Sequence, residues 1–194
     1  LGQGVSTDWG DNPGEPLALA SDGAGRIFAG GEFTRLGGVA ARNIGMWDGN
    51  RWWSLGDADA KVRALAVGGG YLFAGGDFTG IGGVAASHVA AMNLGDGQWS
   101  ALGSGINGAV NALAYRDGVL YAGGAFKAAG SVSAEDVAWW DGGAWHALGG
   151  DYRIFEVGTK GSEVGTYVNA LAVVGDEVYI GGHFQTIQYG TNTA

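Results

Sequence analysis

Residues 71–83 read Tyr-Leu-Phe-Ala-Gly-Gly-Asp-Phe-Thr-Gly-Ile-Gly-Gly, YLFAGGDFTGIGG. The stretch holds too much glycine for a helix and too many aromatic and branched residues for a linker. It is also one of four. Gly-Gly-x-Phe occurs at Gly30–Phe33, Gly75–Phe78, Gly123–Phe126 and Gly181–Phe184, and each copy follows an Ala-Leu-Ala at 18–20, 64–66, 112–114 or 170–172. Successive copies are 45 to 58 residues apart. Behind the first three lie a short apolar segment (Ile44–Trp47, Val89–Met92, Val137–Trp140), a tight turn and Trp-x-x-Leu-Gly (Trp52–Gly56, Trp99–Gly103, Trp145–Gly149).

The punctuation between these segments is that of hairpins. Asp48-Gly49, Asp96-Gly97, Asp117-Gly118, Asp141-Gly142 and Gly175-Asp176 supply the positive φ that two-residue turns need, and no stretch sustains a 3.6-residue apolar period. Four short antiparallel strands repeating at this spacing predict an all-β chain built as a partial-ring β-propeller, in which neighbouring sheets bury each other's faces. The predicted blades span about 17–57, 62–104 and 110–150, with a broken blade at 168–194 and residues 1–5 closing a preceding one. Three complete blades and two broken ones imply that further blades or another chain complete the ring. The strand pair Val168–Ala172 and Glu177–Phe184 is therefore expected to find a partner in a continuation of the chain, in another copy or in Leu1–Val5.

Composition narrows the function. Ten Lys and Arg stand scattered against nineteen Asp and Glu, for a net charge of −9, which argues against a nucleic-acid partner because phosphate binding needs clustered cations. No cysteine is present, so disulfides, thiolate metal sites and a cysteine nucleophile are excluded. No run reaches the roughly 20 apolar residues of a membrane helix. A first residue of Leu without a signal peptide reads as a mature, processed or partial chain.

Leu120–Gly130 and Val137–Gly150, LYAGGAFKAAG and VAWWDGGAWHALGG, resemble the kelch and galactose-oxidase-like β-propeller repeats of secreted bacterial proteins and of fungal cortical cell-polarity marker proteins. The resemblance extends over nearly the whole chain. It implies an extracellular, periplasmic or cell-surface recognition or scaffold module, and it says little about ligand because propellers host unrelated activities. Ser131-Val132-Ser133 departs from the Gly-Gly-Val of the other units, which predicts a remodelled loop there.

Two connections are long, 17 residues from Leu1 to Ala18 and 22 from Leu148 to Ala170, and the chain path puts both on one face. The first brings Asp8, Asp11, Asn12 and Glu15 around Trp9, an oxygen-rich set for a structural Ca²⁺ near Asp8 and Asp11; the competing reading is a solvated turn, and no other cofactor is expected. The second groups Tyr152, Arg153 and Phe155, residue types common in recognition hot spots, against the alternative of a loop packing its own aromatics. Trp9, Asp11, Tyr152, Arg153 and Phe155 are thus the candidate binding residues. Trp47, Trp52, Trp99, Trp140 and Trp145 recur at equivalent places and read as packing between units, whereas Trp53 and Trp139 fall outside the repeat. Within Gly-Gly-x-Phe the variable residue is Glu32, Asp77, Ala125 or His183, either a shared polar site or four independent side chains.

Catalytic patterns are sparse. His88, His146 and His183 read as non-equivalent positions, and no Gly-x-Ser-x-Gly, P-loop or His-Glu-x-x-His occurs. The expected function is non-enzymatic binding of a protein or glycan through the long-loop face. The alternatives are a carbohydrate-active propeller enzyme with an Asp/Glu pair and an accessory subunit of a larger envelope complex.

Overall fold

The computed structural model describes residues 5–6, 14–148, 153–160, 166–175 and 177–184. Every regular element among them is a β-strand. Three four-stranded antiparallel sheets follow one another in chain order. Sheet I holds Glu15–Ser21, Ile27–Glu32, Ile44–Trp47 and Trp52–Ser54, and sheet II Val62–Gly68, Tyr71–Gly76, Val89–Asn93 and Trp99–Ala101. Sheet III holds Ala109–Arg116, Val119–Ala125, Val137–Trp140 and Trp145–Ala147. Each is a meander whose strands lie in sequence order, with tight turns joining the first strand to the second and the third to the fourth. Asp117 and Gly118, both at positive φ (49° and 91°), form such a turn.

The sheets stack with their first strands side by side. Val62, Val110 and Val168, each fully buried, point from one first strand toward the Gly-Gly of the preceding sheet. A Cβ on Gly30 would stand 2.6 Å from Val62 Cγ1, and one on Gly75 or Gly123 2.5 Å from Val110 or Val168 Cγ1. This close approach is the reason the repeat carries glycine here. The motif phenylalanines Phe33, Phe78 and Phe126 are buried at the same end of the sheets. Trp-x-x-Leu-Gly is a second joint: the Trp99 indole N–H donates to Leu55 O (2.7 Å) and that of Trp145 to Leu102 O (2.8 Å), each reaching back one sheet.

Between the second and third strands each unit inserts a two-residue hairpin, Arg35–Leu36 with Val39–Ala40, Gly80–Ile81 with Val84–Ala85, and Ala128–Ala129 with Val132–Ser133. The remodelling expected at Ser131–Ser133 is corrected here. Gly130 keeps the positive φ (59°) of Gly37 and Gly82, and the pairing survives although Ser131 lacks the positive φ of Gly38 and Gly83. The inter-sheet links add a strand to these hairpins: Val5 pairs with Leu36, Ala58 with Ile81 and Ile106 with Ala129.

Sheet IV departs from the plan. Tyr167–Val174 and Glu177–Phe184 pair antiparallel as in the other sheets, and the far edge of Glu177–Phe184 is taken by Arg153–Lys160 running parallel to it. The strand pair expected to be found paired is paired, by a segment of the chain that reads as a loop. Among the described residues Val5–Ser6 belongs to the hairpin at Arg35–Leu36, and the edge is taken by Arg153–Lys160 of the long connection before the sheet. An unsatisfied row of backbone groups pairs with whatever extended segment is nearest, and this one is tethered.

Candidate functional site

In every first strand the register slips by one residue, between Pro16 and Ala18, Val62 and Ala64, Val110 and Ala112, and Val168 and Ala170. The extra residue of each bulge, Leu17, Arg63, Asn111 or Asn169, leaves the ladder and turns its side chain out at the end where Gly-Gly-x-Phe arrives. Bulge residues and the variable residue of Gly-Gly-x-Phe therefore meet. Arg63 Nε and Nη2 donate to Asp77 Oδ1 and Oδ2 at 2.8 and 2.7 Å, a two-pronged pair. Beside it Lys61 Nζ lies 2.5 Å from Glu32 Oε2 of the preceding sheet. At the next joint Asn111 Nδ2 donates to Val168 O (3.0 Å) and Asn169 Oδ1 (3.2 Å).

At the joint of sheets I and II lies a cleft of about 320 Å³ with Glu32, Lys61 and Asp77 on its wall, together with Arg42, Asn43 and Asp59. Asn43 is structural. Its Oδ1 accepts from Phe33 N (3.1 Å), and its Nδ2 donates to Ala58 O and Ala60 O (3.0 Å each), tying the unit to the next link. Asp59 accepts from the Thr79 amide (2.8 Å) and hydroxyl (2.7 Å). Burial raises its pKa, but those bonds and one from Gly80 outweigh it and hold the carboxyl below its usual value. The Arg63 guanidinium is held above its usual value, first by its bonds to Asp77, against burial, and then by the charges of Asp77, Glu32 and Glu15. The wall thus carries carboxylates, an amide and two cations, of which Lys61 is paired with Glu32.

Of the other residues singled out in the sequence, Asp8, Trp9, Asp11, Asn12 and Tyr152 lie outside the described residues. Arg153 and Phe155 sit in the parallel strand, opposite Glu177 and Tyr179, so the segment that reads as a loop is a strand. Glu32 and Asp77 share the cleft; Ala125 and His183 do not. The half-buried His183 stacks on Tyr167 with ring centroids 5.7 Å apart.

Trp53 and Trp139 lie on the outer strand pairs. Trp53 Nε1 donates to Asp48 Oδ2 (2.6 Å) with the Arg51 guanidinium 3.7 Å above its ring, and Trp139 stacks on His146 at 4.1 Å. The histidines do not converge. His88 Nδ1 lies 3.2 Å from Gly76 O, and His146 Nε2 lies 2.7 Å from Asp141 Oδ2. No group of three metal-ligating side chains occurs among the described residues.

No protein-family model matches the chain, and no curated protein does. Solved structures do. The computationally designed Ika4 protein is 19% identical over 94% of this chain and 93% of its own, with a TM-score of 0.54. The extracellular domain of BT4673 from B. thetaiotaomicron, described as a hybrid two component system, is 12% identical over 88% of this chain and 20% of its own, with a TM-score of 0.50. The computationally designed Ika8 protein is 17% identical, and the alignment covers 84% of this chain but only 42% of that one. For Ika4 and the BT4673 domain the likeness is one of fold; the TM-score to Ika8 is 0.49.

The equivalence of three residues escaped the sequence reading. Asn43, His88 and Asp136 each precede a third strand, all at positive φ (65°, 65° and 62°), so the counterparts of His88 are an asparagine and an aspartate, not the other histidines. The signal was available, because Asn, Asp and His are the non-glycine residues enriched in that conformation and the repeat aligns them.

Proposed function

We propose that the chain is part of a non-enzymatic β-propeller recognition or scaffold module of an extracytoplasmic protein, which binds a protein or glycan through the face that carries the inter-sheet links. The supporting observation is the division of labour among its side chains. Residues that repeat are consumed in holding sheet to sheet: Trp99 and Trp145 through their indole N–H groups, and the first glycine of each Gly-Gly pair through close packing. Those that do not repeat, Glu32, Lys61 and Asp77, gather at one cleft on that face, with Arg63 paired to Asp77 behind them. A rigid frame with variable polar groups at one end is the usual arrangement of a binding face. Rows of paired donors and acceptors suit hydroxyl-rich or charged surfaces, which exchange hydrogen bonds group for group. The extracytoplasmic setting draws support from the extracellular domain among the structures that share the fold.

The test is a glycan array and a protein pull-down with the folded chain and with Lys61→Ala/Asp77→Ala. Binding that falls at least tenfold in the double variant, with an unchanged melting temperature, supports the reading. Polysaccharide hydrolysis that disappears on changing one Asp/Glu pair overturns it.

A further inference from the structure

On the side of each sheet that packs on the next one, a single row of cross-strand neighbours changes from unit to unit. In sheet I the row reads Ala20, Phe28, Met46, Trp53, and in sheet III it reads Ala114, Tyr121, Trp139, His146. Sheet II, in the same register, has Ala66, Phe73, Ala91, Ser100, so the two large side chains of its outer half are missing. The joint does not close over the loss. Between sheets II and III a slot of about 270 Å³ remains, to which sheet II contributes Phe73, Ala91 and Ser100 and sheet III contributes Tyr115, Leu120 and Trp140. It opens beside Gly69, Gly118 and Gly142, at the tight-turn end of the sheets and away from the charged cleft.

The walls of the slot are fixed by their own packing. The Tyr115 ring stacks on Phe73 (centroids 5.3 Å apart, planes 18° off parallel) and lies over Gly68 and Gly69, where it leaves no room for a Cβ. Sheet II has Gly68-Gly69-Gly70 at this turn, where sheet I has Ser21-Asp22-Gly23 and sheet III Arg116-Asp117-Gly118. Those glycines seat the tyrosine, so its ring stays at the wall instead of swinging into the space. Trp140 is held against Trp145, with ring centroids 5.4 Å apart. The polar group is Ser100, whose hydroxyl donates to Ala91 O over a long 3.3 Å and whose oxygen can accept a further bond. In sheet III the ring on this row also finds its acceptor on the fourth strand, since the Trp139 indole N–H donates to Ala147 O (3.2 Å).

We infer that the slot is a binding site for an indole-sized aromatic ring, which takes the space that Met46 with Trp53, or Trp139 with His146, takes in the other units. Aromatic walls with one hydroxyl among them suit a flat ring that carries a single N–H. They do not suit a sugar, each of whose hydroxyls needs a polar partner when buried. Free aromatic compounds and tryptophan side chains share this ring, and the test separates the two. The inference is independent of what the charged cleft binds.

The test is titration of the isotope-labelled chain with indole, with N-acetyl-tryptophanamide and with methyl glucoside, followed by amide NMR shifts. The variants are Ser100→Trp and Ala91→Met/Ser100→Trp, which restore the side chains of sheet I. The wild type is expected to bind indole with a dissociation constant on the order of 1 mM or tighter, a range set by the few atoms of the ligand. The shifts are expected at Gly69, Ser100, Ala101 and Gly118, with the amides of Gly-Gly-x-Phe unmoved. Both variants are expected to bind at least tenfold more weakly, and methyl glucoside is expected to leave the spectrum unchanged. N-acetyl-tryptophanamide that binds as well as indole marks a site for a tryptophan side chain; indole bound without it marks a site for a free compound. No saturable shift at those four residues, variants that bind like wild type, or methyl glucoside that shifts the same amides would each overturn the inference. Ser100 is exposed, so should the double variant lose its cooperative melt, Ser100→Trp alone gives the readout.

Discussion

Asp136 shows how one side chain is set by its place in the repeat. It sits where sheet I has Asn43, with 2% of its surface exposed, and its Oδ1 accepts from Phe126 N (3.2 Å) as Asn43 Oδ1 accepts from Phe33 N. Burial pushes its carboxyl above the usual value, against a bond from Thr166 and the charge of Lys127, whose Nζ is 4.0 Å away. A carboxyl whose folded pKa is raised adds stability below its unfolded value near 3.8, and loses that contribution as pH rises through the folded value. At pH 7 the buried charge therefore opposes folding. Asp136→Asn keeps the acceptor, tolerates the positive φ and removes the charge. It is expected to raise stability at pH 7 by about 1 kcal/mol, roughly 2–4 °C in Tm, with the gain gone at pH 3. A calorimetric scan at the two pH values checks this, and a lower Tm at pH 7 would count against it.

Among the elements, the parallel strand Arg153–Lys160 is the one that the repeat does not encode. The four-strand units were legible because alternating apolar residues, Asp-Gly turns and the Trp-x-x-Leu-Gly spacing are local signals; the strands at Ile44–Trp47 and Val137–Trp140 fall where the sequence puts them. Arg153–Lys160 carries no such signal, and its conformation follows from the open edge of Glu177–Phe184. Its pairing on that edge gives Val178–Ile180 strand neighbours on both sides without any second chain. Val157→Pro removes an amide from the ladder opposite Gly181 and fixes φ outside the range of a regular strand. Amide exchange at Val178–Ile180 is expected to speed up at least tenfold, while the amides of sheet II keep their protection. Unchanged exchange at those three residues would show that the parallel strand does not hold the edge.

For the molecule as a whole, the stack behaves as a series of neighbours, so stability sums over sheets and joints. Trp145 belongs to a joint: it is 4% exposed, its ring lies 5.4 Å from that of Trp140, and its N–H reaches Leu102 O in the sheet before. Trp145→Phe keeps an aromatic ring in place and removes the indole donor, leaving Leu102 O with the Gly105 amide alone (3.1 Å). A loss of about 1 kcal/mol is expected in urea unfolding, appearing as a lower midpoint with little change in slope. A midpoint within error of wild type would separate the Trp-x-x-Leu-Gly motif from the cohesion of the stack. At this scale the polar cleft also becomes intelligible, because Glu32 and Lys61 come from different sheets and meet only once those sheets are stacked.

Strand identity, strand order within a sheet and the repeat were readable from the chain, since each depends on neighbours a few residues apart: turn glycines, alternation and indole spacing. The bulges that turn out Arg63 and Asn111 were not, because a one-residue slip is set by how two strands align and leaves no mark in composition. Nor was the cleft, whose charged residues are unremarkable singly and become a site through stacking. The first strands carry the same division. The sequence writes a leucine into every first strand, but whether it is buried, as Leu65 is, or exposed, as Leu19 is, depends on whether another sheet stands against it.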